Sequence, residues 1–130
     1  MPIGLLGCFA ALAQTKIKEV PARNIDSLEG KDLFKQFCAV CHGVDGKGKG
    51  PAAEALKRPP TDLTRLATRN KGKYPEISVQ MSIRNPKGVV EHGTGEMPMW
   101  GPILTQSSLN KHVGEMRIHA LVDYIKTMQQ

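Results

Sequence analysis

Apolar and polar positions divide the 130-residue chain into a short apolar run, a polar stretch and a long helical remainder. Ile3 to Ala13 is nearly all apolar, and residues 1–13 carry no charge. The run is too short to span a bilayer as a helix and has the length of a signal-peptide core. Gln14 to Asn24 is polar, contains one Pro and has no periodicity, as expected of a tether. From there the pattern turns helical. Asp26 or Ser27 is placed to cap a helix with Glu29 and Asp32 in its first turn, and Leu33, Phe34 and Phe37 share one face. Gly43 to Pro51 is too rich in glycine for a helix and predicts a tight loop. Ala52 to Lys57 is a short helical stretch that Pro59-Pro60 ends. Thr61 or Asp62 then caps a helix to about Arg69, and Asn70 to Lys73 forms a turn. Glu76 to Ile83 reads as a helix behind Pro75, although Ile77, Val79, Met81 and Ile83 also alternate as in a strand. Residues 89–106 read as irregular loop, broken by Gly93, Gly95, Pro98, Gly101 and Pro102. The last helix is expected from Gly114 or Glu115 to Met128, with Met116, Leu121, Ile125 and Met128 as its apolar stripe. The sum is one all-α domain over residues 26–130, behind a leader (1–13) and a tether (14–25).

Composition sharpens this. Aromatic residues make up only 5% of the chain, so side chains alone supply few large apolar bodies for a core. The same scarcity argues against nucleic acid as a partner, because few rings are present to stack bases. The net charge is +6, and its location is informative. Lys47, Lys49, Lys57, Arg58, Arg65, Arg69, Lys71 and Lys73 face only Glu54 and Asp62 in their segment, which therefore carries the whole excess. A basic field so concentrated suits docking to an acidic protein partner.

The chemistry centres on Cys38-Ala39-Val40-Cys41-His42. Two thiols three positions apart lie on one face of a helical turn, where each can add to one vinyl group of a porphyrin. The adjoining histidine then stands under the ring, where its imidazole can bind iron. A zinc half-site lacks the second Cys pair that such a site needs. A redox dithiol lacks its βαβ context, and a phosphate loop lacks the preceding strand and the Gly-Lys-Ser/Thr run. The remaining cysteine, Cys8, lies far upstream. For the second iron ligand, Met97 and Met99 stand out in their stiff loop, with His92, His112 and His119 as competitors. Met81, Met116 and Met128 fall on apolar faces and read as packing residues.

The haem motif with Gly43, Asp45-Gly46, Gly48 and Gly50-Pro51, then Pro60-Thr61-Asp62-Leu63-Thr64, then Glu96-Met97-Pro98-Met99-Trp100-Gly101, resembles a class I c-type cytochrome of the bacterial monohaem kind. Gly30, Phe34 and Tyr124-Ile125 extend the resemblance over residues 26–130. It implies a cytochrome c fold of four or five helices around one haem c, bound through Cys38 and Cys41, with His42 and Met97 on the iron. It further implies that Pro51 lends its carbonyl to the His42 imidazole and that Trp100 packs near the haem rim. Gly30 and Tyr124 would mark the crossing of the first and last helices. Arg84 to Lys87 replaces a glycine turn frequent in the family, which puts the 84–95 connection apart from the pattern. The function so implied is one-electron transfer in a bacterial electron-transport chain, with no catalysis of its own. The alternatives are a haem-bearing subunit of a membrane respiratory or dehydrogenase complex and a peroxidase-like enzyme, which Met97 ligation opposes. Export to the periplasm, or to the outer face of the cytoplasmic membrane, is expected. There the leader is cleaved after Ala13, or Leu5-Leu6-Gly7-Cys8 serves as a lipobox that anchors Cys8.

Overall fold

A computed structural model of the chain describes residues 27–85, 97, 100–106 and 111–130, without the side chains of Gln106 and Lys111. The expected leader, tether and lipobox, and the connection after Asn85, lie outside the described residues. Those described form helices and loops with no strand. Helix α1 (Gly30–Leu33) passes through a wide π-helical turn (Phe34–Cys38) into α2 (Ala39–His42). Short 3-10 turns come next at Ala53–Ala55 and Leu63–Arg65, the second leading into α3 (Leu66–Arg69). Then come α4 (Glu76–Arg84), α5 (Trp100–Gln106) and α6 (Lys111–Thr127).

The helix starts show what local chemistry decides. The cap of α1 is Glu29 in extended conformation, neither Asp26 nor Ser27. Ser27 is engaged otherwise: its hydroxyl accepts from the Glu29 N–H at 3.0 Å and donates to the Asp32 carboxylate at 3.3 Å. Asp62 does cap the next helical stretch, its carboxylate accepting from the Thr64 N–H at 2.9 Å and from the Thr64 hydroxyl at 2.6 Å. That hydroxyl bond, assisted by Arg69 and Arg65, holds the Asp62 carboxyl below its ordinary 3.8.

Packing explains the main departures from the sequence pattern. Helix α6 begins at Lys111, because Gly114 is a packing residue and not a breaker. A Cβ there would stand 2.5 Å from Thr105 Cγ2, so the bare glycine lets α5 and α6 touch. Residues 100–106 are helical where loop was expected. Pro102 sits in the first turn, where a missing N–H costs no hydrogen bond. The buried stripe of α6 is Ile118, Leu121, Val122 and Ile125, while Met116 is 53% exposed. On α4, Val79 and Ile83 are buried with Ser82, and Ile77 and Met81 face outward. Their spacing is helical, and the alternating strand reading is not realised. Met81 and Met116 are therefore not packing residues, whereas Met128 does pack against the core.

The tightest contact joins α1 to α6. A Cβ on Gly30 would lie 2.0 Å from the Ala120 carbonyl oxygen and 2.8 Å from Tyr124 Cβ. One helical turn on, the Phe34 ring meets Tyr124 at 5.4 Å between centroids. Leu33 and Phe34 are fully buried with Leu104, Ile118, Leu121 and Val122. Gly30→Ala forces these two helices apart and should cost about 2–3 kcal/mol of unfolding free energy, read by chemical denaturation. Asp62→Ala should cost about 1–2 kcal/mol near neutral pH through loss of the cap and of the partner of the buried Thr64 hydroxyl. Because the folded Asp62 pKa is depressed, its contribution is complete above 3.8 and is lost as pH falls through the folded value. Denaturation midpoints of the two proteins should therefore converge in strong acid.

Candidate haem site

The site is built where α2 ends. The π-helical turn closes with the Ala39 N–H bonding to the Phe34 carbonyl, one residue further than in an α-helix. That extra residue re-aims the next turn of the chain, so Phe37, Cys38, Cys41 and His42 line a cleft while Leu33 and Phe34 serve the α6 contact. The glycine loop then folds back under the helix end. Ala52, Gly50 and Gly48 donate their N–H groups to the carbonyls of Val40, Cys41 and His42, at 2.9, 3.0 and 2.7 Å. The last carbonyls of the turn are thus satisfied by the loop itself. Gly48 has φ +82, and a Cβ there would meet the Pro60 carbonyl oxygen at 2.3 Å, so only glycine lets residues 60–62 come this close.

That close approach sets the histidine. His42 Nδ1 lies 2.9 Å from the carbonyl oxygen of Thr61. A carbonyl only accepts, so this bond places the proton on Nδ1 and leaves the lone pair on Nε2, the nitrogen available to a metal. The resemblance implied the Pro51 carbonyl as this partner; the carbonyl at Nδ1 in the structure is that of Thr61. Gly50 and Ala52, beside Pro51, are bonded to the helix end, and the segment that reaches the ring is 60–62. That segment is itself held from two sides. Leu63 N–H bonds to the Gly46 carbonyl at 2.7 Å. From the C-terminus, the Gln129 amide donates to the Leu63 and Ile125 carbonyls at 2.8 and 2.9 Å and accepts from Ala67 N–H at 2.9 Å.

The cleft brings together all four residues singled out by the motifs: Cys38, Cys41, His42 and, from the other side of the chain, Met97. Its walls are mainly apolar, formed by Leu56, Leu63, Leu66, Val79, Ile83 and Ile125. Trp100 lines it while packing on Phe37 at 5.3 Å between ring centroids, so rim and core roles coincide in this residue. Cys38 is buried, and that burial, with Cys41 beside it, pushes its thiol up to about 12. Cys41 is half-buried. His112 and His119 sit exposed on α6, away from the cleft lining, and His92 and Met99 lie outside the described residues. Among the described residues no three His, Cys, Asp or Glu side chains cluster as ligands of a bare metal ion, and no helix is long and apolar enough to cross a membrane. All eight cations of the 47–73 segment are exposed, with Arg58 at the cleft.

These residues fit a haem. The cleft offers an apolar berth, two thiols on one edge, an imidazole of fixed tautomer and a thioether. Sequence reasoning missed Thr61 as the imidazole's partner and the wall residues of α4. The Pro59-Pro60 pair, which forces extended backbone just before Thr61, was the available signal. No curated protein and no solved structure was found to match the chain. The family model of cytochrome c matches residues 27–129, most of its length. The chain belongs to the cytochrome c family.

Proposed function

We propose that this protein is a monohaem c-type electron carrier of the bacterial class I kind, exported and serving an electron-transport chain. The observation that carries the reading is the convergence of Cys38, Cys41, His42 and Met97 on one apolar cleft. Bound there through two thioethers, haem c supplies a one-electron iron couple. The chain's own residues do the rest. Cys38 and Cys41 hold the ring edge. His42, its proton on Nδ1 donated to Thr61, offers Nε2 to the iron. The soft Met97 sulfur favours the reduced state and raises the potential. With His42 and Met97 both holding the iron, no place for a substrate would remain on the metal, and the role would be transfer and not catalysis. The leader is removed after Ala13 or lipidated at Cys8, which sets whether the domain moves freely in the periplasm or stays on the membrane.

The exposed cations of residues 47–73 steer the domain to an acidic redox partner. With aromatic residues only 5% of the chain, few rings are present to stack nucleic-acid bases, and a peroxidase role would require an open iron site, which Met97 ligation would close.

Absorption spectra of protein matured with c-haem test the reading. Wild type should be low-spin, with a weak far-red sulfur–iron band that Met97→Ala abolishes and Met99→Ala retains. A double Cys38→Ala, Cys41→Ala variant should carry no haem through a denaturing gel. A high-spin wild type sinks the six-coordinate carrier. Electron transfer with the natural partner should slow by roughly tenfold from low to physiological salt, and a rate indifferent to salt removes the steering role.

A further inference from the structure

The 3-10 turn at Leu63–Arg65 gives way to α3 only at Leu66, although residues 63–69 contain no glycine or proline to interrupt an α-helix. The bonds at this break explain it. An uninterrupted α-helix would join the Ala67 N–H to the Leu63 carbonyl and the Thr68 N–H to the Thr64 carbonyl. Here the Ala67 N–H bonds to Gln129 Oε1 at 2.9 Å, and Gln129 Nε2 donates to the Leu63 carbonyl at 2.8 Å. The Thr64 carbonyl accepts from the Gln130 N–H at 2.9 Å, and the Thr68 hydroxyl donates to the main-chain oxygen of Gln130 at 2.8 Å. A carboxamide thus stands inserted in the backbone ladder, one of the known ways to bend or open a helix.

The chemistry of Gln129 suits this place. The residue is half-buried just past the end of α6, and its Nε2 also donates to the Ile125 carbonyl of the last turn at 2.9 Å. The three bonds use two donors and one acceptor on a single terminal group. Glutamate has no donor, lysine and arginine have no acceptor, and asparagine is one methylene shorter.

The break matters because of what lies beside it. Thr61, whose carbonyl accepts from His42 Nδ1 at 2.9 Å, comes two residues before Leu63. A 3-10 helix rises about 2.0 Å per residue and an α-helix about 1.5 Å, so closing Leu63–Arg65 into α3 would shorten the turn by about 1.5 Å. A displacement of that size at Thr61 takes a hydrogen bond out of its working range.

We propose that Gln129 is a positioning residue of the haem site, whose inserted carboxamide holds the turn open and so keeps the Thr61 carbonyl on His42. The proposal rests on the carrier reading. Its consequence is electronic. The bond to Thr61 makes the imidazole a stronger donor. Ferric iron gains more from that donation than ferrous iron, so loss of the bond raises the reduction potential.

The test compares haem-loaded wild type with Gln129→Leu, Gln129→Glu and Ile118→Ala. Leucine removes all three bonds, whereas glutamate keeps the acceptor for Ala67 and loses both donors. Ile118→Ala opens a cavity in the buried face of α6, outside the cleft lining. Exchange of the His42 Nδ1 proton into deuterated solvent is followed by NMR of the reduced protein, beside a redox titration and a melting curve. Both Gln129 variants should exchange roughly tenfold faster than wild type and give a roughly threefold higher ratio of reduced to oxidised protein at a fixed potential. Ile118→Ala should melt at least as low as either, yet match wild type in exchange and potential. The proposal is overturned if Gln129→Leu or Gln129→Glu keeps wild-type exchange and potential, or if Ile118→Ala shifts them as far. Should Gln129→Leu not fold, Gln129→Glu decides alone. A wild type that is not low-spin sinks the carrier reading and this proposal with it, while low-spin spectra throughout with unchanged exchange and potential sink the positioning role alone.

Discussion

The α1–α6 contact at Gly30 is the constraint on which the rest of the molecule depends. With the Ala120 carbonyl where a side chain would begin, the two helices meet backbone to backbone. From that crossing, Leu33 and Phe34 reach the Ile118, Leu121 and Val122 face, and the chain is directed into the turn that carries Cys38, Cys41 and His42. Ile125, one turn along α6, becomes a wall of the cleft for the same reason. A domain with so few aromatic residues closes a helix–helix core here but leaves an apolar cleft beside it that side chains do not fill. A covalently held group would stabilise the fold by burying its apolar faces in that cleft, faces that unfolding returns to water.

What was legible in the sequence came from rules that act over one or two turns. The glycine loop, the Asp62 cap and the helix behind Pro75 all read correctly, because each is decided by neighbouring residues, whereas the π-helical turn parts Phe37 from the Leu33 and Phe34 face. The failures share another cause. Gly101 and Pro102 looked like breakers and Gly114 like the start of a helix, and only the packing of α5 and α6 shows Gly114 as a contact inside α6 and Pro102 as a first-turn residue. Met116 looked like part of a stripe, but the stripe is set by where α1 lies, and that passes through Ile118 and Leu121. The site divides the same way. Cys38, Cys41 and His42 are adjacent in sequence and were plain, whereas the Thr61 carbonyl that orients His42 comes from backbone, which carries no residue signature.

Several distant parts of the chain converge on one imidazole nitrogen. Gly48 admits the 60–62 segment, the Gly46 carbonyl binds its far end, and Gln129 satisfies three backbone groups that tie it to α6. A hydrogen bond to a peptide carbonyl is only as well placed as the segment bearing that carbonyl. The C-terminal residues, remote in sequence from the motif, therefore help set the orientation of the His42 imidazole.

The two proposed iron ligands differ in how they depend on all this. His42 is joined directly to Cys41, so a thioether at Cys41 keeps the imidazole close to the ring even when tertiary structure is lost. Met97 belongs to a distant part of the chain, between α4 and α5, and meets the motif residues only at the cleft. Local bonds confer the first ligand, and the global fold confers the second. A carrier built in the proposed way would bind its cofactor irreversibly through short-range chemistry, yet would hold the ligand that tunes the potential only in the native state. On that proposal the Met97 side of the site would be the part most sensitive to folding, and a disturbance of the helix packing would be felt there before it is felt at His42.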